Sequence, residues 1–169
     1  IVTLEDVERA GKAPAAPPKD RWGEMRRAIA TAMARSKREI PHYYLADTID
    51  MTNALVWLER ENTARELPRR LLYSALLLKA VALAVRDVPE MNGTYAEERW
   101  TASEAVHVGV ATSLRTGGLI APAIHDVANK SLDDVMTALR DLVNRVRNGG
   151  LRSSELSDPT ITVTSLGDR

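Results

Sequence analysis

The 169-residue sequence predicts an α+β (mixed α/β) domain in which helices and strands alternate irregularly and no internal repeat occurs. Three observations carry that expectation. Apolar residues recur at spacings of three and four in several windows, the period of a helix that buries one face. Short runs rich in β-branched and aromatic residues separate those windows and read as strands. Hydrophobic residues make up 44% of the chain and charged residues 27%, which suffices for one globular domain with a core at this length.

The elements follow in order. Ile1 to Ala10 holds one capped helical turn at most, with Thr3 as N-cap and Asp6 three positions on, and cannot bury a core alone. Gly11 to Asp20 is rich in proline and alanine, a composition that favours an extended, semi-rigid linker. The domain proper therefore spans 21–169. From Trp22 the stripe Met25, Ile29, Met33 predicts a helix that Pro41 ends. His42 to Asp50, with Tyr43, Tyr44, Thr48 and Ile49, reads as a strand, and Thr52 is expected to cap a second helix through Leu55 and Leu58. Arg69 to Asp87 reads as a third helix, apolar on nearly all sides and so buried at the centre.

Pro89 stops that helix, and Asn92-Gly93 is a turn signal before Thr94-Tyr95 and a hairpin. Val106 to Ala111 and Leu119 to Ile124 read as strands joined through Gly117-Gly118, with Pro122 implying an edge or a bulge in the second. Ser131, with Asp134 three residues on, starts a helix whose apolar positions Leu132, Val135, Leu139, Leu142 and Val146 keep the helical period until Asn148-Gly149-Gly150 ends it. A short acidic turn leads to Thr160-Ile161-Thr162-Val163-Thr164, which alternates as a strand. Ile1 opens the chain rather than a methionine, and Gly167-Asp168-Arg169 follows directly on that strand. Both ends are expected to be internal to a longer chain.

Composition narrows the chemistry. Twenty-three basic and 23 acidic side chains cancel, so no broad positive field exists to hold a nucleic-acid backbone. There is no cysteine, which excludes a disulfide framework, an iron–sulfur cluster, thiolate zinc and a cysteine nucleophile, and fits a cytoplasmic protein. The longest apolar run, Leu71 to Val85, is interrupted by Ser74 and Lys79 and is too short for a bilayer. His42, His107 and His125 lie far apart with no His-Glu-x-x-His helix, so no metal is expected. No Walker or Gly-x-Gly-x-x-Gly sequence occurs either.

These residues describe a domain and stop short of a reaction. Six ordered blocks add a resemblance. Arg26-Arg27-Ala28-Ile29-Ala30 with Met33, Ser36 and Ile40-Pro41-His42 is followed by Leu76-Leu77-Leu78-Lys79-Ala80, then by Val88-Pro89-Glu90-Met91-Asn92. Val106-His107-Val108-Gly109-Val110-Ala111, Gly118-Leu119-Ile120-Ala121-Pro122-Ala123-Ile124 and Thr162-Val163-Thr164-Ser165-Leu166-Gly167 complete the series. Together they resemble the catalytic domain of the dihydrolipoamide acyltransferases of 2-oxo-acid dehydrogenase complexes, over essentially all of Asp20 to Arg169. Ile1 to Ala10 is similar to the last turn of the peripheral subunit-binding domain that precedes it in such chains.

The resemblance implies a chloramphenicol-acetyltransferase-like fold, a mixed sheet flanked by helices, incomplete at its C-terminus. It implies homotrimers that build larger cores, with the decarboxylase, dihydrolipoamide dehydrogenase and the lipoyl domain as partners. It implies transfer of an acyl group, acetyl by family frequency, from a dihydrolipoamide on a separate domain to coenzyme A, as in pyruvate dehydrogenase. Thr164 matches the hydroxyl that stabilises the tetrahedral oxyanion, and its plainer role is that of a strand threonine. His42 and Lys79 match positions that meet coenzyme A. Lys79 also lies within an apolar helix, where an unpaired ammonium is costly, so a salt-bridged or snorkelling lysine is equally expected. For His42 a packed strand histidine is the more expected role.

One departure bears on mechanism. The family's general base is the histidine of a His-x-x-x-Asp-Gly segment, and none of the three histidines is followed by that pattern: His42 leads to Ala46-Asp47, His107 to Ala111-Thr112 and His125 to Asn129-Lys130. Two readings follow: part of an active acyltransferase whose base lies further along the chain, or a non-catalytic core component of the type that binds dihydrolipoamide dehydrogenase. Chloramphenicol acetyltransferase itself is disfavoured, because the subunit-binding tail and linker have no place in it.

Overall fold

The computed structural model describes residue 3 and residues 21–114 and 118–166. The expected capped turn and linker lie outside the described residues, Thr3 apart, as do Gly117 of the glycine pair and Gly167. The chain divides into two compact units, Ile1–Arg35 and Ser36–Arg169.

Helix α1, Arg21–Glu39, matches the expected span. Pro41 ends it as expected, because the residue before a proline is pushed out of the helical region and the proline itself has no N–H to give. In the first unit Ile29 and Met33 are solvent-exposed, so the apolar stripe of α1 is not a core face there.

In the second unit, His42 to Asp50 corrects the expected strand. Residues 41–50 join no ladder with any described residue, and Tyr43, Tyr44, Leu45 and Ile49 are each at least 73% exposed. Strand-forming residues need a second strand to satisfy their backbone groups, and none reaches this stretch. Its anchors are at its start: the Lys37 ammonium sits 4.9 Å over the Tyr44 ring and donates to the Tyr44 hydroxyl. Helix α2, Thr52–Thr63, is capped one residue earlier than expected. Met51 is the N-cap, and Asp50 rather than Thr52 serves the end, its carboxylate accepting the Thr52 N–H at 2.8 Å. The Thr52 hydroxyl and N–H together hold the Asp50 carboxyl below its usual value.

Helix α3, Tyr73–Asp87, begins four residues later than expected, after a 3-10 turn at Leu67–Arg69. Its fully buried positions are Ala75, Leu78, Ala82 and Val85, a single stripe rather than the whole circumference. Helix α4, Leu132–Asn148, is the second core helix and matches its expectation at both ends. The Ser131 hydroxyl accepts the Asp134 N–H at 3.1 Å, and Gly149 closes the helix with φ +73°, a left-handed conformation that favours glycine. Where an acidic turn was expected there is a short helix, α5, Ser153–Ser157.

The expected hairpin is present beyond Asn92, with Gly93 already in its first strand. β1, Gly93–Ala96, pairs antiparallel with β2, Arg99–Ala102, around Glu97-Glu98, both left-handed with φ +50° and +59°. A primed turn suits the twist of the strands, though glutamate pays strain there that asparagine and glycine avoid. Gly93 begins the strand instead, where a side chain would meet the Thr101 carbonyl oxygen at 2.3 Å.

The central sheet has three strands: β3, Val108–Val110; β6, Ala123–Ile124; and β7, Ile161–Val163. β3 lies in the middle, antiparallel to β6 and parallel to β7, with Val108 opposite both Ile124 and Ile161. The expected strand Leu119 to Ile124 is split at Ala121-Pro122. Its first half, β5 (Leu119–Ile120), pairs with β4 (Thr112–Ser113), and its second half is β6. Pro122 cannot donate but its carbonyl accepts the Val110 N–H at 2.9 Å, which is how a proline is accommodated at a break. A Cβ at Gly109 would stand 3.0 Å from both the Ala121 oxygen and the Thr162 hydroxyl, a fit tight enough that its neighbours would have to give by a few tenths of an ångström. α3 and α4 cover the sheet, and Leu78, Val108, Val127, Val135 and Leu142 are at the dense centre of the core.

Candidate functional site

Thr164 follows β7 directly. The parallel ladder continues to its threshold, where the Ala111 N–H donates to the Val163 carbonyl at 3.0 Å. Beyond that bond Thr164, Ser165 and Leu166 are all exposed. The Ser165 hydroxyl lies 3.3 Å from the Tyr73 hydroxyl at the start of α3, which holds this end of the strand against the helix. A groove of about 560 Å³ opens beside the same ladder, floored by Leu72, Val110, Met136 and Val143 with Arg140 and Arg147 at its rim.

Lys79 points elsewhere. Its ammonium donates to the carbonyls of Ala128 at 2.8 Å, Lys130 at 2.6 Å and Val127 at 3.4 Å, the last turn before α4. An ammonium has three protons, and this half-buried one has three acceptors, which resolves the cost of a cation on an apolar helix. His42 is exposed in the irregular stretch after α1. Its Nδ1 stands 2.6 Å from the Ile40 carbonyl. A carbonyl can only accept, so Nδ1 carries the proton and Nε2 remains for a ligand. No hydrogen bond or ion pair joins any two of Thr164, His42 and Lys79 among the described residues.

A polar network that the sequence did not single out lies under β7. Asn92, 2% exposed, donates from Nδ2 to the carbonyls of Ser103 at 2.7 Å and Ala105 at 3.1 Å, and accepts from the Thr160 hydroxyl at 2.6 Å. Beside it the His107 and His125 rings meet edge to face at 4.8 Å, and His125 Nε2 lies 3.2 Å from the Asp158 carboxylate. The Ser157 hydroxyl and the His125 ring hold the Asp158 carboxyl below its usual value. The only sequence signal was indirect: an asparagine and a histidine in apolar surroundings, whose partners are at least 53 residues away along the chain for Thr160.

A second buried charge stabilises the approach to β7. Glu155 in α5 accepts the Arg152 N–H at 2.9 Å and pairs with the Arg145 guanidinium of α4, which also meets Asp141. Burial would raise the Glu155 carboxyl, but the Arg152 N–H and the Arg145 guanidinium outweigh it and hold the group below its usual value. A cleft of about 830 Å³ lies away from β7. Arg65 and Asp133 pair across it, and Arg140 is held by the carbonyls of Pro68 and Arg70, so two of its three arginines are engaged within the fold. Among the described residues no cluster of three metal-ligating side chains occurs, and no helix is long and apolar enough to cross a membrane.

A mixed sheet covered by two helices is the architecture of a known class of acyltransferase. The chain belongs to the 2-oxoacid dehydrogenases acyltransferase (catalytic domain) family, whose model matches residues 18–169. It is 36% identical over 147 residues to the lipoamide acyltransferase component of the branched-chain alpha-keto acid dehydrogenase complex of Pseudomonas putida, covering 85% of this chain and 34% of that one. It is 31% identical over 149 residues to the dihydrolipoyllysine-residue acetyltransferase component of the pyruvate dehydrogenase complex of Rhizobium meliloti, covering 85% and 33%. The chain thus spans about a third of the length of these relatives.

Among solved structures it superimposes on a probable dihydrolipoamide acetyltransferase from Listeria monocytogenes with a TM-score of 0.78 at 27% identity, over 93% of this chain and 66% of that one. The dihydrolipoamide acetyltransferase of Azotobacter vinelandii, whose catalytic mechanism has been examined at a serine, a histidine and an asparagine, gives a TM-score of 0.77 at 25% identity over 91% and 68%. The fold expectation is borne out: these neighbours are acyltransferase catalytic cores with the chloramphenicol-acetyltransferase-like architecture.

Proposed function

We propose that this domain transfers an acyl group, acetyl by preference, from a dihydrolipoamide thioester on a lipoyl domain to coenzyme A, in the cytoplasmic core of a 2-oxo-acid dehydrogenase complex. The observation that carries the reading is Thr164, exposed immediately beyond an edge strand held in parallel register by β3. The coenzyme A thiol gives up its proton to a base as its sulfur adds to the thioester carbonyl, and the oxygen becomes an oxyanion. The Thr164 hydroxyl donates to that oxyanion. Collapse of the intermediate expels the dihydrolipoamide sulfur, which takes a proton back from the base. In this reading the base comes from residues other than these 169, since no histidine here has the family's pattern. The Azotobacter relative, studied at a serine and a histidine, supports a hydroxyl and an imidazole in these roles.

His42 is proposed to meet coenzyme A through Nε2, the nitrogen its bond to Ile40 leaves over. Lys79 is proposed to act there too, through the turn it holds: with its protons donated to three carbonyls, it shapes the surface rather than reaching a phosphate. Assembly into trimers and a larger core, with decarboxylase and dehydrogenase partners, belongs to the same proposal. The relation to Pseudomonas and Rhizobium components of different complexes is why acyl choice needs its own measurement.

The test is steady-state acyl transfer by the full-length protein with acetyl, succinyl and branched-chain donors. Thr164→Val is expected to lower kcat on the order of 10²-fold with KM for coenzyme A unchanged, since an oxyanion donor acts only in the transition state. An unchanged kcat, or a rise in KM alone, means Thr164 has another role. No transfer by the intact wild-type protein to any acceptor favours the non-catalytic core component instead.

A further inference from the structure

We propose that Asn92 and Thr160 form a brace that positions Thr164 for acyl transfer, acting on the strand rather than on substrate; this rests on the oxyanion role given to Thr164 above. Every polar side-chain atom of the pair has a partner that fixes its orientation. Two carbonyls face Asn92 Nδ2, which sets the amide with Oδ1 toward Thr160. The Thr160 oxygen accepts the His107 N–H at 3.0 Å, so its own proton is directed to Asn92 Oδ1 at 2.6 Å, the nearer of its two acceptors. The Thr160 N–H donates to the His107 carbonyl at 2.9 Å. Thr160 therefore binds both backbone groups of one residue in the chain leading to β3, and a buried side chain on a third segment.

The consequence reaches Thr164 through register. From Thr160 the chain runs through β7 opposite Val108, Gly109 and Val110, and Thr164 follows roughly 13 Å further on at about 3.3 Å per residue. A slip of one residue would turn Thr164 to the opposite face. Within β7, Ile161 and Val163 pack against the core and Gly109 lies close to Thr162, but none of these contacts selects which residue carries a hydroxyl at the strand's entry. The brace supplies that selection, because only Thr160 presents an oxygen that can accept from His107 and donate to Asn92 at once. Neither member contacts Thr164, so both are positioning residues.

The experiment uses the full-length protein with Thr160→Val, Thr160→Ser, Thr164→Val and the Thr160→Val/Thr164→Val double variant. Thr160→Val is expected to lower kcat roughly 10-fold to 100-fold, the scale on which a small misplacement of a catalytic group costs rate, with KM for coenzyme A held within about twofold. Thr160→Ser, which keeps the hydroxyl, is expected to restore kcat. In the double variant the Thr160 change is expected to cost nothing further, because it acts only through Thr164. A drop in kcat that persists undiminished in the Thr164→Val background, or a kcat unaffected by Thr160→Val while Thr164→Val is slow, overturns the brace.

Amide hydrogen exchange over Ile161 to Leu166 reads the brace independently of the chemistry. If Thr164→Val leaves kcat intact, the oxyanion reading falls, yet faster exchange in Thr160→Val than in wild type still supports the brace, and unchanged exchange overturns it. Should Thr160→Val fail to fold, Thr160→Ala removes the same hydroxyl with less bulk and is judged by the same readouts.

Discussion

Two stretches of this chain look alike as sequence and differ as structure. Thr160 to Thr164 and His42 to Asp50 are both rich in β-branched and aromatic residues, and both read as strands. The first is β7, locked in parallel register beside Val108–Val110, with its entry bonded to His107 and Asn92. The second has no ladder, and Leu45 is 86% exposed. Strand propensity records that a residue fits a pleated, half-buried surface; it does not supply the neighbouring strand. β7 has β3 beside it and core contacts through Ile161 and Val163, whereas the stretch after α1 is tied by side-chain bonds to near neighbours in sequence, at Lys37, Ile40 and Thr52. The neighbouring solved core from Listeria is matched over 66% of its length, so a third of that fold has no counterpart among these residues.

The comparison can be broken most forcefully at Glu155, which ties α5 and so the approach to β7. Glu155→Ala leaves the Arg145 guanidinium without one of its two carboxylates in a buried setting, and such a break is expected to cost roughly 3–5 kcal/mol in chemical denaturation. The sign of the pH dependence follows from the lowered carboxyl. Its contribution is complete above the ordinary carboxylate range and is lost as pH falls through the folded value. The stability gap between wild type and Glu155→Ala should therefore narrow below about pH 4. A gap that is small at neutral pH, or that widens in acid, would show that Glu155 is not held as an ion.

A pair of leucines sharpens the same contrast. Leu142 on α4 is 1% exposed and Leu45 is 86% exposed. Leu142→Ala is expected to cost about 3 kcal/mol, the transfer and cavity terms of a filled core. Leu45→Ala should stay within about 0.5 kcal/mol, as exposed substitutions do. Comparable losses at the two sites would mean that Leu45 is covered in solution, for instance by assembly, and denaturation at several protein concentrations would then show it.

The smallest expected effect is a gain. Glu97-Glu98 occupies the left-handed turn of the β1–β2 hairpin, and Glu97→Asn with Glu98→Gly should stabilise the protein by about 1 kcal/mol by relieving backbone strain. The thermal midpoint measures it. No gain would mean that the hairpin is already detached at the transition.

Periodic and capped elements were legible in the sequence because their causes are local. Leu132 to Asn148 shows its helix through the Ser131 cap, the apolar period and Gly149, all within one stretch of chain. The end of α1 was legible at Pro41 for the same reason. The hairpin's own turn at Glu97-Glu98 was not, nor was the burial of Asn92, which has the composition of a turn but is drawn into the interior by Ser103, Ala105 and Thr160. Thr164 could be marked by its ordered neighbours, and Lys79 by its misfit with an apolar helix. That the ammonium of Lys79 would be met by the carbonyls of Val127, Ala128 and Lys130 could not be read, as they lie some fifty residues on.

The sequence by itself determined the helices, the fold class and the family, because short-range period, caps and ordered motifs are written in neighbouring residues. Only the tertiary structure decided which β-rich run became a strand, where the hairpin turned, and what held Thr160 at the entry of β7. The physical reason is that a ladder, a buried amide and a buried ion each need a second partner brought from far along the chain. No single stretch of sequence specifies the distance at which that partner arrives.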